Sequence, residues 1–173
     1  MIDFRNDILP LKNQLYRLAL RITLDSAEAE DIVQETLIKV WNKHDDWDNI
    51  DNIEAFCLTV CRNLSLDSVK RQGSHNVSLD ESPTDQLDNN NTPSQQTIAN
   101  DQLNMVKHIV DQLPEKQRSC IQLRDFEGKA YKDIAAILSM TEEQVKINIF
   151  RGRQTIKQRV ERMNNYQNPS ISS

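Results

Sequence analysis

Glycine is scarce in this chain, with three in 173 residues. That excludes Gly-rich phosphate loops and turn-heavy all-β architectures, both of which need many backbone positions only glycine tolerates. Aromatic residues reach 5%. No apolar stretch approaches the roughly 20 residues of a membrane-spanning helix. The N-terminus, Met1-Ile2-Asp3-Phe4-Arg5-Asn6-Asp7, lacks the basic segment and apolar core of a signal peptide, which predicts a cytoplasmic protein. Cys57, Cys61 and Cys120, an odd count without such a signal, read as reduced thiols. Cys57 and Cys61 are one helical turn apart, but no second Cys/His pair matches them, and His44, His75 and His108 are scattered. No metal site and no cofactor are expected. Neither a nucleophile constellation nor a carboxylate pair in a catalytic context is visible, so the chain is expected not to be an enzyme.

What is present is charge, unevenly placed. The whole chain is acidic, at net −5, with 38% hydrophobic residues and a mean hydropathy of −0.65. Residues 1–72 carry net −4, residues 73–101 net −5 with no Lys or Arg, and residues 102–173 net +4. Six basic side chains and one acid, Glu161, fall within residues 146–162. A basic end on an acidic chain suits contact with a polyanion.

The segment Gly73 to Asp101 has no aromatic residue, two prolines and three consecutive asparagines, Asn89 to Asn91. It buries too little apolar surface to offset its ordering entropy and reads as a polar flexible linker, with a short ordered piece near Val77 and Leu79. The expected division is therefore a first domain at 1–72, a linker at 73–101, a second domain at 102–163 and a disordered tail at 164–173.

Both domains read as helical. Leu11, Leu15, Leu18 and Ile22 repeat at helical spacing. Asp25 or Ser26 caps a helix running to about Lys43, with Ala29, Val33, Thr36, Leu37 and Val40 on one side. Asp31, Glu35, Ile38 and Asn42 lie on the other. A third helix, about 53–71, buries Ile53, Phe56, Cys57, Val60, Cys61 and Leu64. After the linker, helices are expected at about 98–112 and 115–126. A short helix at Tyr131–Leu138, a turn at Ser139–Thr141 and a long helix from Glu142 to about Met163 follow. No segment reads as a strand, and the fold class is all-α.

Short helix, three-residue turn and long helix is helix-turn-helix grammar. Ala135 permits close approach, and Ile134, Ile137, Leu138 and Val145 fill the corner. The long helix buries Val145, Ile149, Ile156 and Val160. Its opposite side presents Glu143, Gln144, Ile147 and Arg151, flanked by Asn148. Gln, Asn and Arg read adenine and guanine edges bidentately, and an exposed Ile meets a thymine methyl. Lys146, Arg153 and Lys157 lie nearer the flank, as phosphate contacts do. The competing reading is a surface helix with ordinary polar decoration.

Residues 9–71 and 105–160 resemble the two domains of extracytoplasmic-function sigma factors, the small initiation factors of bacterial RNA polymerase. The resemblance rests on Ala29-Glu-Asp31-Ile-Val-Gln-Glu35-Thr-Leu-Ile-Lys-Val-Trp41 and on Cys61-Arg-Asn63-Leu-Ser-Leu-Asp67. It continues in Leu113-Pro-Glu-Lys-Gln-Arg118, Tyr131-Lys-Asp-Ile-Ala135, Val145-Lys146 and Arg151-Gly-Arg153. It implies core RNA polymerase and promoter DNA as partners, no small-molecule substrate and, in many members, a membrane-anchored anti-sigma protein. It further implies that Asp31, Gln34, Glu35 and Ile38 meet core polymerase. For the downstream promoter element it points to Trp47, Asn49, Asp51, Asn52, Arg62, Asn63, Lys70 and Arg71. Trp47 is open to two readings, a stacking surface for an extruded base or a side chain packed on its own domain. The chain departs from the family with Ser139 in place of the usual Gly, and with Gln144, Ile147 and Asn148 in place of the usual Thr and Ser-Arg. The alternative is a dimeric helix-turn-helix regulator, which leaves the first block without a role. A pure adaptor protein would leave the basic last helix idle.

Overall fold

The computed structural model describes residues 1–75 and 94–167, and every regular element among them is helical. Helix α1, Lys12–Thr23, follows a wide turn at Phe4–Ile8 and a tight one at Leu9–Leu11. Leu24 ends it in the left-handed region at φ 58°, with its N–H on the Leu20 carbonyl. The Asp25 side chain then accepts the Glu28 N–H and starts α2, Ser26–Asn42. Helix α3, Ile53–His75, packs across both. The expected stripes hold: Leu11, Leu15, Leu18 and Ile22 are buried, as are Ala29, Val33, Thr36 and Val40, with Leu37 half-buried.

Cys57 and Cys61 sit in this core, and Cys61 donates its thiol to the Leu15 carbonyl. Burial pushes both thiols up to about 12. They fill space between helices, as small apolar groups do.

Trp47 overturns one expectation. It stands in a short turn, His44–Asn49, and is 6% exposed. Its indole N–H donates to the Val40 carbonyl at 3.0 Å, and the Phe4 ring lies near-parallel to it. A ring buried this way closes the first block and offers no face for stacking a base. The apolar body outweighs the polar loop around it, and the one polar atom finds a backbone partner.

The second block comprises α4, Ser94–Asp111, α5, Glu115–Ile121, α6, Tyr131–Leu138, and α7, Glu142–Gln167. Pro114 caps α5, which widens over Gln122–Phe126 before the turn at Gly128, φ 69°. Gly152 lets α7 press on α5: an added Cβ would stand 3.1 Å from Ile121 Cγ1. Both ends of the segment 73–101 are helical, since α3 continues to His75 and α4 begins at Ser94. Helix α7 likewise runs through the first residues of the expected tail. Residues 76–93, with Val77 and Leu79, and residues 168–173 lie outside the described residues.

The blocks touch. Helix α1 packs against α5 and the wide turn after it, and α3 packs against α6. This explains why Leu58, outside the face expected of α3, is 1% exposed.

Candidate nucleic-acid interface

Three exposed surfaces emerge from these helices. The first is the outer side of α2, where Asp31, Gln34, Glu35 and Ile38 are all exposed. Their spacing places them on one face, opposite the buried stripe. Ile38 is 60% exposed, and Trp41, one turn further on, is 49% exposed with the His44 ring stacked on it at 4.8 Å. Trp41 was not among the expected contact residues, although its i+3 spacing from Ile38 is legible in the sequence. Acids bordering two uncovered apolar side chains form a surface suited to a partner with basic and apolar groups.

The second surface is the approach to α3 and its outer side. Asn49 and Asp51 are exposed. Asn52 has structural work: its side-chain oxygen accepts the Ala55 N–H at 3.0 Å and caps α3. Arg62 is half-buried, with its Nε–H lacking a partner among the described residues. Asn63, Lys70 and Arg71 are exposed. Arg62 and Lys70 are separated by about 12 Å along the helix, two turns of a polar ridge.

The third surface is the helix-turn-helix. Ile134, Ile137, Leu138 and Val145 fill its corner with no more than 1% exposure. Ser139 makes the turn in the left-handed conformation at φ 56°, with its N–H on the Ala135 carbonyl. Thr141 and Gln144 then form a reciprocal cap. The Thr141 N–H donates to the Gln144 side-chain oxygen, and the Gln144 N–H donates to the Thr141 hydroxyl, both at 3.0 Å.

Along α7, Glu143, Gln144, Lys146, Ile147, Arg151 and Lys157 are exposed. Asn148 is half-buried and donates to the Gln144 carbonyl at 2.8 Å. Arg153 is tied to Asp125 through two hydrogen bonds, and that contact holds its guanidinium above its ordinary pKa. It thus anchors α7 to the preceding turn. Lys146 and Arg124 both lie over the Tyr131 ring, at 5.4 and 4.3 Å from its centroid. Phe150 is 62% exposed beside Ile147 at 44%, an apolar pair in the middle of a polar face. Phe150 was missed because it follows the buried Ile149, and only the helical angle separates the two.

The pattern of known proteins matches this geometry. Residues 8–75 match the profile of Sigma-70 region 2, and residues 103–156 match that of Sigma-70, region 4. The ECF RNA polymerase sigma factor SigL of Mycobacterium tuberculosis is 35% identical over 136 residues, 76% of this chain and 74% of that protein. The chain belongs to the extracytoplasmic-function sigma factors. The RNA polymerase sigma-H factor of Pseudomonas aeruginosa is 26% identical over 160 residues, 87% of this chain and 83% of its own. In fold, this sigma factor resembles RpoE from Bartonella quintana, solved in complex with the anti-sigma factor NepR. The TM-score is 0.74 at 24% identity, over 92% of this chain and 97% of that one. CnrH, solved with the cytosolic domain of CnrY, gives a TM-score of 0.64 at 18% identity, covering 89% and 84%. Matches across both blocks leave no room for a regulator built from the second alone. The chain is a sigma factor, which binds core RNA polymerase and directs promoter recognition at initiation. Among the described residues, no helix is long and apolar enough to cross a membrane.

Proposed function

We propose that this sigma factor works in the cytoplasm without catalysis of its own, and that its three surfaces divide the labour of initiation. Asp31, Gln34, Glu35 and Ile38 on α2 dock core polymerase. Asn49 and Asp51, with Arg62, Asn63, Lys70 and Arg71 on α3, meet the downstream promoter element, and Asn52 holds the start of α3 in place for them. Glu143, Gln144, Ile147 and Arg151 face the major groove of the upstream element, with Asn148 beside them. Lys146 and Lys157 neutralise phosphates, and Arg153 keeps α7 at its angle. The observation that carries this reading is the coexistence, in one chain, of an acidic and apolar helix face with a capped helix-turn-helix whose second helix is polar and basic outward.

An anti-sigma protein is a further proposed partner, supported by the fold shared with two sigma factors solved in complexes with other proteins. The test is run-off transcription with core polymerase on a promoter library, followed by mapping of start sites. Start sites sharing a two-part upstream sequence are expected. Lys157→Ala should weaken all promoters similarly, and Arg151→Ala should change which upstream sequences are selected. Transcription indistinguishable from core polymerase alone would end the proposal.

A further inference from the structure

Two uncovered apolar side chains stand one helical turn apart on α7: Ile147 is 44% exposed and Phe150 62%. Val145 and Ile149, at 0% and 2%, mark the buried side of the same helix. At 3.6 residues per turn, Ile147 lies at the centre of the opposite side, with Gln144 and Phe150 roughly 60° to either side of it. Ile147 stands where the family usually carries Ser, which exchanges a hydroxyl for an apolar surface at the middle of the face.

The amides on this face are already engaged within the helix. The Gln144 side-chain oxygen accepts the Thr141 N–H at 3.0 Å, and the half-buried Asn148 amide donates to the Gln144 carbonyl at 2.8 Å. Bidentate reading of adenine takes the oxygen and the N–H of one amide, so Gln144 must release its cap bond to do it. Ile147 and Phe150 give up only water, and covering them is favourable by itself.

Their surroundings select the class of partner. The pair is small and is bordered by the exposed cations Lys146, Arg151 and Lys157. A protein interface asks for a wider apolar patch, whereas a basic border suits a polyanion. In the major groove the apolar group that a base edge presents is the C5-methyl of thymine, and Phe is among the side chains that pack on it. Three residues of helix advance roughly 4.5 Å along the axis, close to the roughly 3.4 Å between neighbouring bases of one strand.

Resting on the groove-facing reading of α7, we propose that Ile147 and Phe150 together read two neighbouring thymines of the upstream element through their C5-methyl groups. Phe150 is thereby a specificity-determining residue beside Ile147, and apolar contact carries the base preference at these two positions. Arg151 supplies the hydrogen-bonded reading next to them, and Lys146 and Lys157 hold the backbone.

Deoxyuridine differs from thymidine by the methyl alone, which gives a direct test. The upstream element is first selected from a randomised library by holoenzyme reconstituted with the full chain. Each thymine of the selected element is then replaced by deoxyuridine, and holoenzyme affinity is measured. Two adjacent thymines should stand out, each replacement weakening binding roughly fourfold, the worth of one buried methyl group. Ile147→Ala should abolish the loss at one of the two positions and Phe150→Ala at the other. Both side chains are exposed, so circular dichroism and melting should match the parent. Equal affinity for thymine and uracil at every position overturns the proposal. So does a thymine-to-uracil ratio unchanged in both variants, including the case in which they weaken only the capture of another protein. A holoenzyme that selects a defined upstream element yet ignores the methyls refutes this inference alone, whereas one that selects no upstream sequence refutes the groove-facing reading beneath it.

Discussion

Gln144 is given two jobs that exclude each other in part, and one pair of substitutions separates them. In the free protein its side-chain oxygen accepts the Thr141 N–H as half of the cap that starts α7. Reading adenine bidentately takes both the oxygen and the amide N–H of a glutamine. Gln144→Ala removes the reciprocal bond from Thr141 and any contact to a base. The bond is exposed, so its loss should cost about 0.5–1 kcal/mol. That corresponds to a fall in melting temperature of roughly 1–4 °C for a chain of this size. Gln144→Glu keeps an acceptor at the same position of the cap and adds a negative charge to the first turn, where the helix dipole favours it. Its stability should equal or exceed the parent's by a few tenths of a kcal/mol. The carboxylate has no N–H to give adenine and repels phosphates. It should therefore bind all sequences more weakly and, in selection from a randomised upstream element, change the preferred base at one position. Thermal unfolding read beside that selection gives both answers. A Gln144→Glu holoenzyme selecting the parent's sequence would show that Gln144 only caps. An unchanged melting temperature for Gln144→Ala would show that the cap contributes nothing.

Three further outcomes are expected. Asp31→Arg with Glu35→Arg should abolish capture of core polymerase while leaving the melting temperature within a degree or two, because both side chains are exposed on α2; retained capture would sink the assignment of that face. Ser139→Gly should stabilise the protein by roughly 0.5–1 kcal/mol, since a left-handed non-glycine residue costs about 1–2 kcal/mol and glycine returns part of this through the unfolded chain. A lowered melting temperature would refute the strain. Cys57, Cys61 and Cys120, with thiols pushed up to about 12 by burial, should resist alkylation at pH ~8 and react together only in denaturant. Because the folded values are raised, the stability these thiols confer is complete below the ordinary thiol range of about 8.5 and is lost as pH climbs from there toward 12. Rapid labelling of the native protein at neutral pH would contradict this.

Periodicity alone placed most of the helices and their buried stripes. Leu15, Leu18 and Ile22 recur at helical spacing, and burial of such a face is the main favourable term available to a helix. The corner of the helix-turn-helix and the outward faces of α2 and α7 were legible for the same reason: a face opposite a buried stripe is exposed unless something else covers it. What covers a face is not local information. Arg21 lies buried because Asp111 and Gln122, about a hundred residues away, converge on it. Trp47 reads equally as a stacking platform or as core until Phe4 and the Val40 carbonyl are brought to it. Asn52 and Gln144 read as polar contacts, and only the helix starts beside them show that they cap. Helix α3 gains a second buried side from α6, which no pattern within α3 announces. Which residues form helices and which faces turn inward follow from neighbours one turn apart, so the chain order alone carries them. Which charges are paired, which ring is buried and how the two blocks meet emerge once the chain has folded, because those energies depend on groups distant in the chain.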